Sequence, residues 1–160
     1  MTHAIEIAPG LILQGFTAPL RLSDFKLIAF DMDSTLINIE CVDEIADAAG
    51  RKAEVAAITE AAMRGEIKDF SESLIKRVAF LKGLPVDVLQ SVYEQKLQLN
   101  AGAEKLVNTA LQSGLKVLLV SGGFTFFTEK LKARLNLTEA HANVLAQENG
   151  LLTGIVQGRI

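Results

Sequence analysis

The feature that most restricts this chain is a run of apolar residues that ends at a pair of acids. Leu27 to Phe30 is short, apolar and strand-like, and Asp31-Met32-Asp33-Ser34-Thr35 follows it directly. Such a run predicts a strand buried on both faces that delivers polar groups at its carboxyl end. In open α/β sheets, ligands bind at that end. Side chains alternate along extended backbone, so Asp31 and Asp33 are expected to project to the same side and converge on one site. A converging carboxylate pair can hold a hard divalent cation, divide nucleophilic and acid/base duties, or do both. The bland alternative is a solvated strand exit with each acid facing water. The preceding buried run and the hydroxyls of Ser34 and Thr35 favour a functional site.

Composition narrows the partners. A chain of 160 residues that is 49% hydrophobic has material for one sizeable core. Its net charge of −3, from 16 basic and 19 acidic residues, comes without a basic block, so nucleic acid is not an expected partner. Cys41 is the only cysteine, which excludes an internal disulfide and fits a reducing compartment. At the amino terminus, Glu6 and Pro9-Gly10 interrupt what a secretory leader would keep apolar. No apolar run approaches the ~20 residues of a membrane span. A cytoplasmic location away from membranes is expected.

Ile5 to Phe16 alternates weakly around Pro9-Gly10, predicting a short hairpin or edge segment within residues 1–25. After the acidic junction, Val42, Ile45, Ala46 and Ala49 share a helical face that stops at Gly50. Similar faces follow through Val55 to Met63, Phe70 to Leu81, and Val86 to Tyr93. Residues 41–97 therefore read as four helices with no intervening strand, an inserted cap between core segments 26–40 and 98–160. The alternation of helix and strand then resumes. Ala103, Leu106, Val107, Ala110 and Leu111 predict a helix stopped by Gly114. Lys116 to Val120 predicts another buried strand, ending in Ser121-Gly122-Gly123 before a helix at 125–135. Glycines and a hydroxyl at such a junction suit phosphate binding through free N–H groups, although Ser-Gly-Gly also occurs in ordinary turns. Asn149-Gly150, between two apolar alternations, is a hairpin signal.

Taken together, DMDSTLI, the following Glu40, the helical insertion and VSGGF resemble the phosphoserine phosphatases of the haloacid dehalogenase superfamily. The resemblance runs from about Lys26 to the carboxyl end. It implies an α/β, Rossmann-like parallel-sheet core with a helical cap, and magnesium-dependent hydrolysis of O-phosphoserine, the last step of serine biosynthesis. By the same resemblance, Asp31 is the nucleophile that forms an aspartyl-phosphate. Asp33 is the general acid and then the base, and the Asp31 side chain and the Asp33 backbone carbonyl hold Mg2+. Ser121 and the Gly122 N–H bind the phosphoryl oxygens. Glu40 faces the substrate ammonium, Arg77 its carboxylate, and Met63 and Phe70 shield the site.

The family's later motifs, a lysine and a Gly-Asp-Gly stretch, have no match here, since no aspartate follows Asp87. The expectation is a core incomplete at its carboxyl end, impaired activity, and self-association through an exposed sheet edge. Alternatives are a phosphatase for another small phosphomonoester and a non-catalytic fragment that binds phosphate or an amino acid. A phospho-receiver domain fits poorly, because it lacks a helical insertion after its first strand.

Overall fold

The computed structural model describes residues 4–15, 19–67 and 69–158; the side chain of Met63 is also outside that description. The sheet has four strands in the order β3 (Leu27–Phe30), β4 (Lys116–Phe124), β5 (Glu139–Glu148) and β6 (Leu151–Gln157). The β3–β4 and β4–β5 pairs are parallel, and β5–β6 is antiparallel. A separate hairpin, β1 (Ile5–Ala8) and β2 (Leu11–Leu13), precedes the sheet; Phe16 falls outside the described residues. Four helices lie between β3 and the rest of the sheet: α1 (Cys41–Ala48), α2 (Lys52–Met63), α3 (Phe70–Ala79) and α4 (Asp87–Gln95). Helices α5 (Ala103–Gln112) and α6 (Thr125–Leu135) flank β4 in sequence, giving an α/β architecture. Among the described residues, no helix is long and apolar enough to cross a membrane.

Partners in a parallel ladder share a face, so Val117 and Leu119 of β4 lie on one side with Ile28 and Phe30 of β3. Val117 and Leu119 are fully buried, in one core with Val107, Ala110, Phe127 and Leu131. The opposite side carries Leu27, Ala29, Leu118 and Val120, and it is not covered to the same degree. Leu27 is 48% and Val120 39% exposed. The expectation that Leu27 to Phe30 would be buried on both faces is therefore corrected. Among the described residues β3 pairs with β4 alone, as an edge strand with one half-buried and one open face. Apolar content does not report which neighbours a strand acquires.

Strand β5 changes partner along its length. Its first residues pair in parallel with Leu118 to Val120, and Val144 to Glu148 pair with β6. Asn149 and Gly150 turn the hairpin with φ of 50° and 78°, the left-handed pair that a tight two-residue turn needs. The hairpin is also bonded to the segment joining α3 and α4. Gly83 N donates to Leu152 O at 2.8 Å, Leu152 N to Leu84 O at 2.8 Å, and Val86 N to Gly150 O at 3.0 Å. At Gly154 a Cβ would lie 2.9 Å from Lys82 Cβ and 3.2 Å from Ala79 O, so strand and helix end meet backbone to backbone.

Candidate functional site

Past Phe30 the backbone stays extended at Asp31 (φ −77°, ψ 160°) and again at Asp33 (φ −66°, ψ 133°). Met32 between them points into the core and is fully buried. Alternation therefore sends both carboxylates to the other side, into a cavity of about 140 Å³. Ser34 then reverses the chain with φ 54° and ψ 8°. A non-glycine residue there is disfavoured by about 1–2 kcal/mol. The reversal is braced from several directions. Ser34 N donates to Ile39 O at 3.1 Å, and Asn100 Nδ2 donates to Thr35 O at 2.8 Å and Ile37 O at 3.0 Å. Thr35 Oγ1 donates to Asp31 Oδ2 at 3.1 Å, which fixes the plane of that carboxylate.

The cavity wall brings together Asp31, Asp33, Glu40, Phe70, Arg77, Ser121 and Gly122, seven of the residues singled out in the sequence. For the remaining one, Met63, only the backbone at the end of α2 is described. The wall also includes Val42, Leu74, Gly123 and Phe124. Of these, Gly123 had a sequence signal in its doublet with Gly122. The others read as ordinary helix-face or strand residues.

Strand β4 runs on through Phe124, with its register broken between Val120 and Phe124. The irregularity lets Ser121-Gly122-Gly123 turn away from the regular ladder toward the cavity. Gly123 N donates to Ser121 Oγ at 2.9 Å, so the buried hydroxyl accepts from the backbone and keeps its own proton to donate. Asn143 Nδ2 donates to Gly122 O at 3.0 Å. A side chain at either glycine would have to displace a neighbour. A Cβ at Gly123 would lie 2.8 Å from Met32 Cε and 3.1 Å from Asp33 Oδ2, and one at Gly122 would lie 2.5 Å from Phe70 Cζ. Phe70, the first residue of α3, thus lies over Gly122 with its ring half in solvent.

Charge in the cavity is arranged by type. Burial pushes the Asp33 carboxyl up to about 6; the neighbouring Cys41 pulls it down, and the Glu40 and Asp31 charges push it further up. Cys41 N donates to Asp33 Oδ1 at 3.4 Å, at the start of α1. Glu40 occupies the N-cap position of α1 without capping it. Its carboxylate turns to Ser34 instead, whose Oγ donates to Oε1 at 2.7 Å. Arg77 is 8% exposed, and its buried Nε has no hydrogen-bond partner among the described residues. A desolvated guanidinium with an unused donor at a cavity wall fits an anionic ligand.

Known proteins share this arrangement of chain. Residues 28–159 match the haloacid dehalogenase-like hydrolase family. A phosphoserine phosphatase of Albidiferax ferrireducens is 64% identical over 152 residues, covering 95% of this chain and 64% of that protein. One from a Polaromonas species is 65% identical over 149 residues, covering 93% of this chain and 63% of its own length. The chain thus spans a little under two thirds of these relatives. Among solved structures, a substrate-bound phosphoserine phosphatase complex superimposes with a TM-score of 0.78 at 43% identity, covering 83% of this chain and 62% of that one. A phospho-aspartyl intermediate analogue of phosphoserine phosphatase gives 0.77 at 44% identity, with 83% and 63% covered.

Proposed function

Because the chain belongs to the haloacid dehalogenase-like hydrolase family, we propose that it hydrolyses O-phosphoserine to serine and phosphate through an aspartyl-phosphate on Asp31. The observation that carries this is the composition of a single cavity. It offers a carboxylate pair for chemistry, a Ser-Gly pair for phosphate, and Glu40 and Arg77 for an ammonium and a carboxylate. That donor set complements a phosphorylated zwitterion. The names of the relatives support the same substrate.

In this reading Asp31 attacks phosphorus as the serine oxygen leaves, and Asp33 gives that oxygen its proton. A carboxyl titrating at about 6 keeps a protonated fraction near neutral pH, which a general acid needs. Asp33 then takes a proton from water as the water attacks the aspartyl-phosphate, releasing phosphate and restoring Asp31. Ser121 Oγ and Gly122 N–H donate to the phosphoryl oxygens, and Phe70 limits access of bulk water.

Magnesium accepts one or two carboxylates and leaves its other positions to water and phosphate. The Asp31 carboxylate with the Asp33 backbone carbonyl suits that mode, and the described residues contain no group of three or more His, Cys, Asp or Glu that would form a closed cage. Mg2+ held by Asp31 and Asp33 would offset the repulsion between carboxylate and phosphate. Cytoplasmic serine biosynthesis and self-association through the β3 edge belong to the same reading, the latter supported by the open side of the sheet.

The test is phosphate release from O-phosphoserine with magnesium, alongside Asp31→Asn. Release by the parent and none by the variant supports hydrolysis; equal release by both overturns it. Binding without release would support a second reading, a phosphate- and amino-acid-binding module. That reading needs only Ser121, Glu40 and Arg77, which line the cavity and can bind without the chemistry of Asp31.

A further inference from the structure

We infer that Ser34 is a positioning residue for ligand selection: its hydroxyl aims the Glu40 carboxylate at the ammonium position. The inference rests on the proposed amino-acid ligand and adds a residue to its recognition. Ser34 lies in the left-handed region, where glycine is the undemanding choice and a side chain is strained. The loop does not need the hydroxyl for its shape. Ser34 N–H to Ile39 O, Ile37 N–H to Met32 O and both Asn100 bonds already hold the reversal. The hydroxyl goes instead to Glu40 Oε1 at 2.7 Å and is the side-chain donor to that carboxylate among the described residues.

Glu40 itself has an alternative to resist. As the N-cap residue of α1 it stands beside the first helix N–H groups, where a side-chain oxygen can accept, although Cys41 N already donates to Asp33 Oδ1 and Asp43 N to the Glu40 carbonyl. It makes no such bond. Ser34 thus holds Oε1 away from the helix end and leaves Oε2 free to accept from a cationic ligand group. Removing the hydroxyl would let the glutamate sample other rotamers and lower the fraction of molecules ready to bind an ammonium.

The experiment is a calorimetric comparison of two ligands in the Asp31→Asn background, which has no nucleophile and less charge repelling phosphate. The ligands are O-phosphoserine and 3-phosphooxypropionate, which is the same molecule without its ammonium group. Ser34→Gly keeps the backbone conformation available and removes only the hydroxymethyl group. Expected is about a tenfold loss of O-phosphoserine affinity with 3-phosphooxypropionate unchanged. Added to Glu40→Gln, the same change should have no further effect. Equal losses for both ligands, or an undiminished loss in the Glu40→Gln background, would overturn the assignment while leaving the amino-acid ligand intact. If the chain with Ser34 and Glu40 intact does not prefer the ammonium-bearing ligand, the substrate reading and this assignment both fall.

Discussion

Asp33 is pulled two ways, because burial opposes its charge while Cys41, through its thiol first and then its N–H, favours it, and burial wins. Below about pH 4 the carboxyl is protonated whether the chain is folded or not. Between that and about 6 the folded chain holds the proton and the unfolded chain does not. Its contribution therefore favours folding at acid pH and is lost as pH rises through about 6. Urea titrations of the metal-free chain from pH 4 to 7 should show stability falling relative to Asp33→Asn across this window. Carboxyl NMR should give Asp33 a midpoint near 6 that moves down in Glu40→Gln, because the Glu40 charge is one of the groups raising it. A midpoint unmoved by that substitution would remove Glu40 from the cause. Cys41 is a simpler case. Its thiol is fully buried, and burial first, then the Asp33 charge, push its ionisation far up. It should resist alkylation in native buffer and react stoichiometrically in denaturant. At this scale the sequence exposed groups whose chemistry is rare in a core, such as Asp31, Asp33 and Arg77. It hid Ser34 and Asn100, whose parts depend on a backbone reversal and on a partner 65 residues away.

At the level of elements, the end of β4 is the tightest point in the site. Gly123→Ala would drive a methyl group between Met32, which is fully buried, and the Asp33 carboxylate. A loss of about 1–3 kcal/mol is expected by chemical denaturation, with Asp33 displaced. Gly122→Ala meets only the half-exposed Phe70 ring, which can swing outward, so its effect on stability should be smaller and its effect on ligand binding larger. Reversed magnitudes would mean that Phe70, not Met32, is the immovable neighbour. The helices were legible because apolar spacing and terminal glycines such as Gly50 and Gly114, both at positive φ, mark a helix and its end. The exposure of β3 was not legible in Leu27 to Phe30 themselves, because an apolar tetrapeptide reads the same in the middle of a sheet and at its edge; only the unmatched later motifs of the family pointed to an exposed edge. The change of partner within β5 was equally hidden, since Asn149-Gly150 announces a hairpin but not a parallel neighbour for the strand's first half.

On the scale of the molecule, the open side of the sheet at Leu27 and Val120 is a liability for solubility. Sedimentation velocity over a range of concentrations should show self-association that Leu27→Lys or Val120→Lys reduces; identical profiles would place the contact elsewhere. The opposite arrangement holds at the α3–α4 joint, where three backbone bonds tie it to the β5–β6 hairpin and Gly154 packs against Ala79 and Lys82. Helix α3, which carries Arg77, is thereby pinned to the sheet that carries Ser121 and Gly122. These bonds anchor the carboxyl end of the helix that carries the guanidinium, and so constrain its span to the phosphate-binding turn. If O-phosphoserine is the ligand, a molecule one methylene longer between phosphate and carboxylate, such as O-phosphohomoserine, should bind Asp31→Asn more weakly in calorimetry; equal affinities would mean that the span adjusts.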